Sequence, residues 1–170
     1  GPPLYSDLKL TLDVVPDGPA AQPDARVCPG VCVVTLAGSG TAAHKDGPAA
    51  AAAFRFPTDV AVTGGGKQVL VADRLNHRIR RIAAGVVSTF AGSGKPGTAD
   101  GAAAAAEFYE PTGLTVDAAG AAVYVADRIK ESVRAIKGGA VSTVLKGLDD
   151  PTDVLLDPTT GGVYVADTDN

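Results

Sequence analysis

A fourteen-residue phrase that recurs at fixed spacings constrains the fold of this chain most strongly. VLVADRLNHRIRRI, at Val69–Ile82, returns as VYVADRIKESVRAI at Val123–Ile136 and begins again as VYVADTDN at Val163–Asn170. β-Branched residues on both sides of an Asp/Asn cluster are typical of a strand, a tight turn and a returning strand. A repeat of this kind predicts a fold assembled from copies of one supersecondary unit.

The spacing of two further phrases defines the length of the unit. VVTLAGSG, beginning at Val33, returns 54 residues later as VSTFAGSG at Val87. FPTDVAV, beginning at Phe56, returns after 54 residues as EPTGLTV and after a further 40 as DPTDVLL. One loop accounts for the difference, because the long stretch after Gly94 is shortened to KGLDD in the last copy. A repeat that loses only a surface loop keeps its core.

Each full unit contains four short strands. In the first unit the strands are predicted at Asp59–Thr63, Val69–Ala72, Arg78–Ile82 and Val86–Ala91. Four antiparallel strands in about 40–50 residues are typical of a β-propeller blade. The sequence therefore predicts an all-β chain made of β-propeller blades, with units at about 33–91, 92–145 and 146–170.

At these positions the sequence resembles the NHL-repeat family of β-propellers, and the resemblance extends from Val33 to Asn170. The matching residues are Phe54, Pro57, Val60, Val62, Val69, Val71, Ala72, Asp73, Asn76, His77, Arg78 and Ile79. The second unit departs from the pattern, with Lys130, Glu131 and Ser132 in place of Asn76, His77 and Arg78. The resemblance implies a propeller with six blades when complete.

The number of strands is too small for a closed ring. The 170 residues contain two full units, an incoming fourth strand at Val33–Ala37 and an outgoing pair, which is two to three blades. Closed propellers have about 4–8 blades. We therefore expect residues beyond this sequence, or a protein partner, to complete the propeller. We expect them to cover an apolar face of the last unit that carries Val154, Leu156, Val163 and Val165.

The residues outside the repeat form a separate region. Residues 1–26 are predicted to contain a strand at Leu8–Val14 and a Pro/Ala-rich linker, and residues 27–170 form the propeller segment. Apolar and polar residues alternate in that strand, as expected for a half-buried strand. It lies outside the repeat spacing, so it is either the end of a preceding element or a strand added to a blade edge.

The long loops contain alanine runs that each follow an aspartate. Asp46 comes before Ala49–Ala53, and Asp100 comes before Ala102–Ala106. Asp before a run of the best helix former predicts a capped helical turn, which Phe54 and Phe108 would anchor to the core. Because these loops occupy equivalent places in the repeat, we expect them to cluster at one face and form the binding surface.

Charge and hydropathy disfavour two kinds of partner. The net charge is −4 and the pI is about 5.0, whereas nucleic-acid-binding proteins usually present a basic surface. No apolar run approaches the ~20 residues that cross a bilayer. We therefore expect no nucleic-acid partner and no membrane span.

Three aspartates at the same position of the repeat have two interpretations. Asp73, Asp127 and Asp167 could form a ring of metal ligands or acid–base groups, or each could cap its own turn. Asp commonly accepts main-chain N–H groups in turns, so the structural interpretation is favoured. Asn76 and Arg78 are assigned to the same structural turn, with Arg78 paired to a carboxylate of a neighbouring blade.

The sequence offers few candidates for catalysis or cofactor binding. Its two histidines, His44 and His77, cannot supply a three-histidine zinc site. Gly92–Gly97 matches G-x-G-x-x-G, but AGSG also occurs in the preceding unit, which indicates a repeated turn rather than a dinucleotide site. No catalytic, metal-binding or cofactor-binding residue is predicted, and no cofactor is expected.

Cys28 and Cys32 flank a Pro-Gly turn before the first repeat strand. They could bind metal, form a disulfide or remain free, and an even pair across a turn favours a local disulfide. A disulfide would place the protein in an oxidising compartment, so an extracellular or cell-surface location is expected.

Together these features predict a non-catalytic propeller segment that serves protein–protein interaction or structural assembly. The alternative is part of a propeller hydrolase or lyase whose metal ligands and catalytic residues lie outside this segment.

Overall fold

The chain is all-β, and its strands form propeller-type blades. The computed structural model describes residues 10–13, 33–63 and 65–169, with side chains from Thr35 onward. Within these residues there are two five-stranded and two two-stranded sheets, and all the strand pairs within them are antiparallel.

The first blade contains four long strands and one short edge strand. Spatially the order is β3-β7-β6-β5-β4. The strands are β3 (Gly47–Pro48), β4 (Pro57–Thr63), β5 (Gln68–Asp73), β6 (Arg78–Ala83) and β7 (Val86–Ala91). The four long strands agree with the sequence prediction to within two residues at each end.

The second blade repeats this arrangement, in the order β8-β12-β11-β10-β9. Its strands are β8 (Gly101–Ala102), β9 (Pro111–Val116), β10 (Ala122–Asp127), β11 (Ser132–Lys137) and β12 (Ala140–Lys146). The third unit is a pair, β13 (Pro151–Leu156) and β14 (Val163–Asp167).

A two-stranded sheet precedes the first blade, formed by β1 (Leu10–Asp13) and β2 (Val33–Ala37). Leu10 pairs with Ala37, and the register then shifts so that Thr11 pairs with Thr35. The same shift occurs between β6 and β7 of the first blade. β1 therefore occupies the place of a third strand beside β2, which is one of the two alternatives for this segment. The rest of the predicted Leu8–Val14 strand lies outside the described residues, as do Cys28 and Cys32.

The long loops lie at one end of the blades. In the first blade Pro57 pairs with Asp73, Asp73 pairs with Arg78 and Ile79 pairs with Ala91, so the beginning of β4 lies beside the end of β7 across the sheet. The loops 38–56 and 92–110 join these ends. We call this the loop end, and the predicted clustering of the loops is confirmed.

The main core fills the space between blades. Leu70, Ala72 and Ile79 of the first blade pack with Leu114, Val123 and Val125 of the second around Phe108, which is fully buried. A blade between two neighbours buries both faces of its sheet, and this explains the nearly continuous apolar residues of β5 and β10. Phe54 is also buried, so the predicted anchoring role of the two phenylalanines is confirmed.

The expectation for the last unit was wrong in one respect. Val154, Val163 and Val165 pack back against the second blade, on Ala126 and Val133. These valines are therefore covered within the chain. The opposite face of β13–β14 is the exposed one.

The two aspartates before the alanine runs do not cap helical turns. Ala49–Ala51 is a single 3-10 turn without a side-chain cap, and residues 103–105 form a turn that is not a helix. Asp46 and Asp100 instead bind arginines and threonines of the following blade.

Candidate functional site

Asp73 is the centre of a buried polar network in the first blade. Its Oδ1 accepts the main-chain N–H of Arg55 at 2.7 Å, and its Oδ2 accepts Asn76 Nδ2 at 2.8 Å and Arg80 Nη1 at 2.7 Å. Both Asp73 and Arg80 are fully buried. Burial raises the pKa of Asp73 although the hydrogen bonds from Asn76, Arg55 and Arg80 oppose the shift.

The guanidinium of Arg80 connects this network to the loop before the blade. It donates to the carbonyl oxygens of Ala53 and Lys45 at 3.0 Å and to Asp46 Oδ1 at 2.5 Å. The ring of Phe54 lies 5.0 Å from the guanidinium carbon, a cation–π arrangement. One arginine thus satisfies two carboxylates and two carbonyls, and it fastens loop 38–56 to β6.

The second blade contains the same network. Asp127 accepts the Tyr109 N–H at 2.7 Å and Arg134 Nη1 at 2.8 Å, and Arg134 also binds Asp100 and the Ala99 carbonyl. Burial raises the pKa of Asp127 to about 6, against the hydrogen bonds from Tyr109 and Arg134.

The aspartates are held differently from the sequence prediction. The main-chain donor to each is 18 residues upstream, whereas donors within the next few residues were expected. For Asp167 that donor is the N–H of Asp149, at 2.7 Å. The aspartates therefore attach the entering loop to the end of the second strand, and the turn after them receives only the Asn76 bond in the first blade.

Arg78 also departs from the expectation that it pairs with a carboxylate. Its guanidinium donates to the carbonyl oxygens of Asn76 and Ser93, at 3.2 and 2.7 Å. It lies over Gly94, where a Cβ would come within 2.2 Å of the guanidinium. Arg78 therefore fixes the first turn of loop 92–110.

Ion pairs between units are made by a different arginine. Arg74 donates to Glu110 Oε2 at 2.6 Å from its Nη2, and Arg128, its repeat equivalent, binds Asp150 Oδ2 at 2.7 Å. Glu110 and Asp150 both have positive φ values, 60° and 56°, immediately before a proline. Non-glycine residues in that region are strained, and these ion pairs hold them there.

Both histidines are engaged in local contacts. His77 Nδ1 accepts the Glu110 N–H at 3.2 Å, and its ring meets Tyr109 edge-on at 5.7 Å. His44 Nε2 lies 3.2 Å from the Thr89 hydroxyl. Burial lowers the pKa of both histidines. Within residues 33–63 and 65–169, no group of three His, Cys, Asp or Glu side chains could hold a metal ion.

A cavity of about 330 Å³ opens at the loop end between the first strands of three successive units. Its lining repeats one position pair from each strand: Thr58 and Asp59, Thr112 and Gly113, Thr152 and Asp153. Thr58 donates to the Thr112 carbonyl at 2.8 Å, and Thr112 donates to the Pro151 carbonyl at 3.1 Å. We call this cavity the threonine pocket.

Gly113 lies in the centre of the threonine pocket and brings two carboxylates together. A Cβ there would be 2.5 Å from Asp153 Oδ1 and 2.6 Å from Asp153 Cα, so only glycine permits this approach. Asp59 Oδ2 accepts the Leu114 N–H at 2.7 Å from the other side. Burial, with a contribution from Asp153, raises the pKa of Asp59.

The exposed face of β13–β14 is the second candidate surface. Leu155 and Tyr164 are directly paired across the two strands and are 63% and 62% exposed. The equivalent pair in the first blade is Ala61 and Leu70, and Leu70 is 1% exposed because the second blade covers it. We call the side that carries Leu155 and Tyr164 the open face.

A comparison with protein-family models supports the interpretation of this architecture. Residues 54–82 match the model of the NHL repeat. The chain carries an NHL repeat. The resemblance to the NHL-repeat β-propellers is thereby confirmed, and the matched segment runs from Phe54 through the Asp73–Arg80 network of the first blade. A search of curated protein sequences found no significant match.

Solved structures similar to this NHL-repeat chain show the same fold. A protein of unknown function from Bacteroides thetaiotaomicron is 20% identical, with a TM-score of 0.61 over 79% of this chain and 36% of its own. A chain of the nidogen/laminin complex is 19% identical, with a TM-score of 0.54 over 66% and 40%. An auxiliary nutrient binding protein from Bacteroides ovatus is 20% identical, with a TM-score of 0.54 over 64% and 34%. The NHL-repeat chain thus spans about a third to two fifths of each of these neighbours.

No helix within the described residues is long and apolar enough to cross a membrane.

Sequence reasoning missed the buried arginines. Arg80 and Arg134 each follow their aspartate by seven residues, and each lies 34 residues after Asp46 or Asp100. That double spacing, repeated in two units, was the signal available. The threonine pocket left a weaker trace, because PTD becomes PTG in the second unit only.

Proposed function

We propose that this chain is a non-catalytic, extracellular propeller segment that serves protein–protein interaction or structural assembly. The observation that carries the proposal is the open face. In the two preceding units, the equivalent face is covered by the next unit of the propeller. Leu155 and Tyr164 present the same kind of surface to whatever lies beyond β14.

The occupant of the open face is a protein surface with aliphatic side chains. The surfaces that cover the two earlier faces carry Leu114, Val123 and Val125 in one case and Val154, Val163 and Val165 in the other. Aliphatic groups brought against Leu155 and Tyr164 would gain about 25 cal/mol for each Å² of apolar surface removed from water. Either the remaining part of the same protein or a separate protein partner can supply such a surface.

The condition of the titratable groups supports a non-catalytic role. Asp73 and Asp127 are fully buried and bound to main-chain N–H groups and arginines, so they cannot meet a substrate. His77 is occupied by the Glu110 N–H. General acid–base catalysis requires a group within hydrogen-bond reach of the reacting atom, and these groups are committed to the fold.

Two observations support an extracellular location. The local disulfide predicted between Cys28 and Cys32 is suited to an oxidising compartment. Two neighbours in fold are described as an auxiliary nutrient binding protein and as part of the nidogen/laminin complex. The second description also fits a role in assembly.

The test is photo-crosslinking from the open face. A photoreactive phenylalanine analogue replaces Tyr164 in one protein and Val144, which is 53% exposed on the outer strand β12, in a matched control. We expect efficient crosslinks to one protein or propeller unit from position 164 and not from position 144. The purified partner should then bind Val144→Asp like the wild type and lose binding to Tyr164→Asp. Equal crosslinking from both positions, or unchanged binding by Tyr164→Asp, would contradict the proposal.

A further inference from the structure

We propose that the threonine pocket binds a primary ammonium group. This inference is independent of the open face, because it concerns the loop end of the inner strands and a different chemistry. The pocket lies where β4, β9 and β13 approach one another, and its volume of about 330 Å³ is sufficient for a small side chain or a small organic amine.

The pocket presents acceptors, because its donors are already committed. The hydroxyls of Thr58 and Thr112 donate to the carbonyl oxygens of the next unit, at 2.8 and 3.1 Å. Their lone pairs therefore remain for a ligand. Thr152 is 2.9 Å from the Thr168 hydroxyl, with which it shares a hydrogen bond.

The main-chain N–H groups beside the pocket are also occupied. Those of Val60 and Leu114 donate to Asp59, at 2.8 and 2.7 Å. That of Val154 donates to Asp153 Oδ1 at 2.8 Å. A ligand that needs hydrogen-bond donors from the protein, such as a phosphate or a carboxylate, finds none of these free.

The charge of the pocket has the same consequence. Asp59 and Asp153 lie on either side of Gly113, which has no side chain to separate them. A carboxylate oxygen offers two lone pairs, so each aspartate can accept further hydrogen bonds beside its main-chain donor. An ammonium group is a positive charge with three donors and no acceptor, so it complements a negative site that contains acceptors only.

The difference between PTD and PTG in the repeat makes this site local. Where the first and third units have Asp59 and Asp153, the second has Gly113. An aspartate at all three positions would fill the pocket, because a Cβ at Gly113 already meets Asp153 at 2.5 Å. The glycine thus creates the space, and its two neighbours supply the charge.

Two sources could deliver the ammonium group, a free amine or a lysine side chain of a protein partner. The experiment follows backbone amide shifts by NMR on the 170-residue chain. The probes are n-propylammonium, the neutral n-propanol, tetramethylammonium, Nα-acetyl-lysine amide and Ca²⁺. We expect n-propylammonium and the lysine derivative to shift the amides of Thr112, Gly113 and Asp153, while propanol and tetramethylammonium, which lack the charge or the donors, leave them in place.

Asp153→Asn is the diagnostic variant, since it removes one exposed carboxylate and keeps its shape. We expect ammonium affinity to fall by about tenfold or more, as for a lost charge-assisted hydrogen bond. Asp157→Asn, at the β13–β14 hairpin, is the matched control and should bind as the wild type does. Should Asp153→Asn fail to fold, the comparison of propylammonium with propanol on the wild type decides the question.

The outcomes separate the sources and the alternatives. Binding of the small amine supports the proposal with a free amine as the ligand, and binding of the lysine derivative alone supports it with a lysine of a partner. Equal shifts with propanol, shifts with Ca²⁺ but not with amines, or no shift with any probe would overturn it. A failure here leaves the crosslinking test of the open face unaffected.

Discussion

The first and second blades share a backbone design, but they differ at three positions that decide their chemistry. Both fasten the entering loop with an Asp–Arg–Asp network, Asp73–Arg80–Asp46 and Asp127–Arg134–Asp100. The second blade has Lys130 for Asn76, Ser132 for Arg78 and Gly113 for Asp59. The comparison shows that the repeat preserves what holds a loop to a blade and varies what lies around it.

The replacement of Arg78 by Ser132 follows the length of the next loop. Arg78 binds the carbonyl of Ser93, at the start of the long loop 92–110. After the second blade the loop is 14 residues shorter, and Ser132 is fully buried with no hydrogen-bond partner for its hydroxyl among the described residues. A long loop requires an arginine to fix its first turn, and a short one does not.

Removal of a buried arginine should have the largest effect. Arg80→Leu and Arg134→Leu each leave a fully buried aspartate without its cation. Loss of one partner of a buried ion pair costs about 3–5 kcal/mol, and we expect the two blades to lose similar free energies of unfolding in urea titrations. Arg81→Leu, on the same strand but exposed, should change stability by no more than about 0.5 kcal/mol. If only one blade responds, the two networks are not equivalent.

Gly113→Ala should have the next largest effect. The added Cβ would lie 2.6 Å from Asp153 Cα, so the main chain of two inner strands must separate. Overpacking of this kind costs about 1–3 kcal/mol. Asp59→Ala at the equivalent position loses only the bond to the Leu114 N–H, about 1 kcal/mol. Thermal unfolding measures both, and a larger loss for Asp59→Ala would show that the inner strands tolerate a side chain at Gly113.

The exchange of Asn76 and Lys130 tests why the two aspartates differ. Asn76 donates to Asp73 and to the Ala43 carbonyl, and the second blade has no such donor. Asn76→Lys should cost about 1–2 kcal/mol in the first blade. Lys130→Asn should supply the missing bond and lower the pKa of Asp127 from about 6. Carboxyl-carbon NMR titrations of both aspartates give the values, and an unchanged Asp127 would contradict this explanation.

The pH dependence of stability has a defined sign for Asp127. Its folded pKa of about 6 exceeds the ordinary 3.8, so the folded state binds the proton more tightly than the unfolded state. Above pH 6, folding carries the cost of burying the charge. As the pH falls from about 6 toward 3.8, this contribution to the free energy of unfolding becomes less unfavourable. Lys130→Asn should reduce that gain, as urea titrations at several pH values would show.

The ion pairs between units should give the smallest effect. Arg74→Met and Arg128→Met each remove one pair whose side chains are about a fifth to a quarter exposed. Pairs of this kind contribute about 0.5–1 kcal/mol, and about 1 M salt, with a Debye length of about 3 Å, should weaken them in the wild type. Unfolding in urea at low and high salt measures both variants. A loss that does not depend on salt would mean that the arginines act by packing.

Much of the fold could be predicted from sequence because the repeat is local. The strand bounds of the first blade follow from alternation and turn residues around VADRLN, and the loop end follows from antiparallel pairing of strands joined by short turns. The short loop after Lys146 was visible as a change of spacing from 54 to 40. Each of these features depends on neighbours in the chain.

The predictions that failed concern contacts between distant residues. Asp46 was expected to cap the turn beside it, but it binds Arg80, which is 34 residues away. Arg78 and Arg80 lie two residues apart on one strand and have different environments, since Arg80 is buried among loop carbonyls and Arg78 lies over Gly94. Strand alternation gives the face of a residue but not what another segment places against that face.

By itself, the sequence determined the unit of this protein: four strands, their turns and the order of long and short loops, all set by patterns within about fifty residues. The tertiary structure decided which carboxylate each arginine binds, that Val154 packs inward while Leu155 and Tyr164 face out, and that Asp59 and Asp153 meet at Gly113. The physical reason is that these contacts join successive blades. Their partners depend on how one sheet lies on the next, and each strand records only its own alternation.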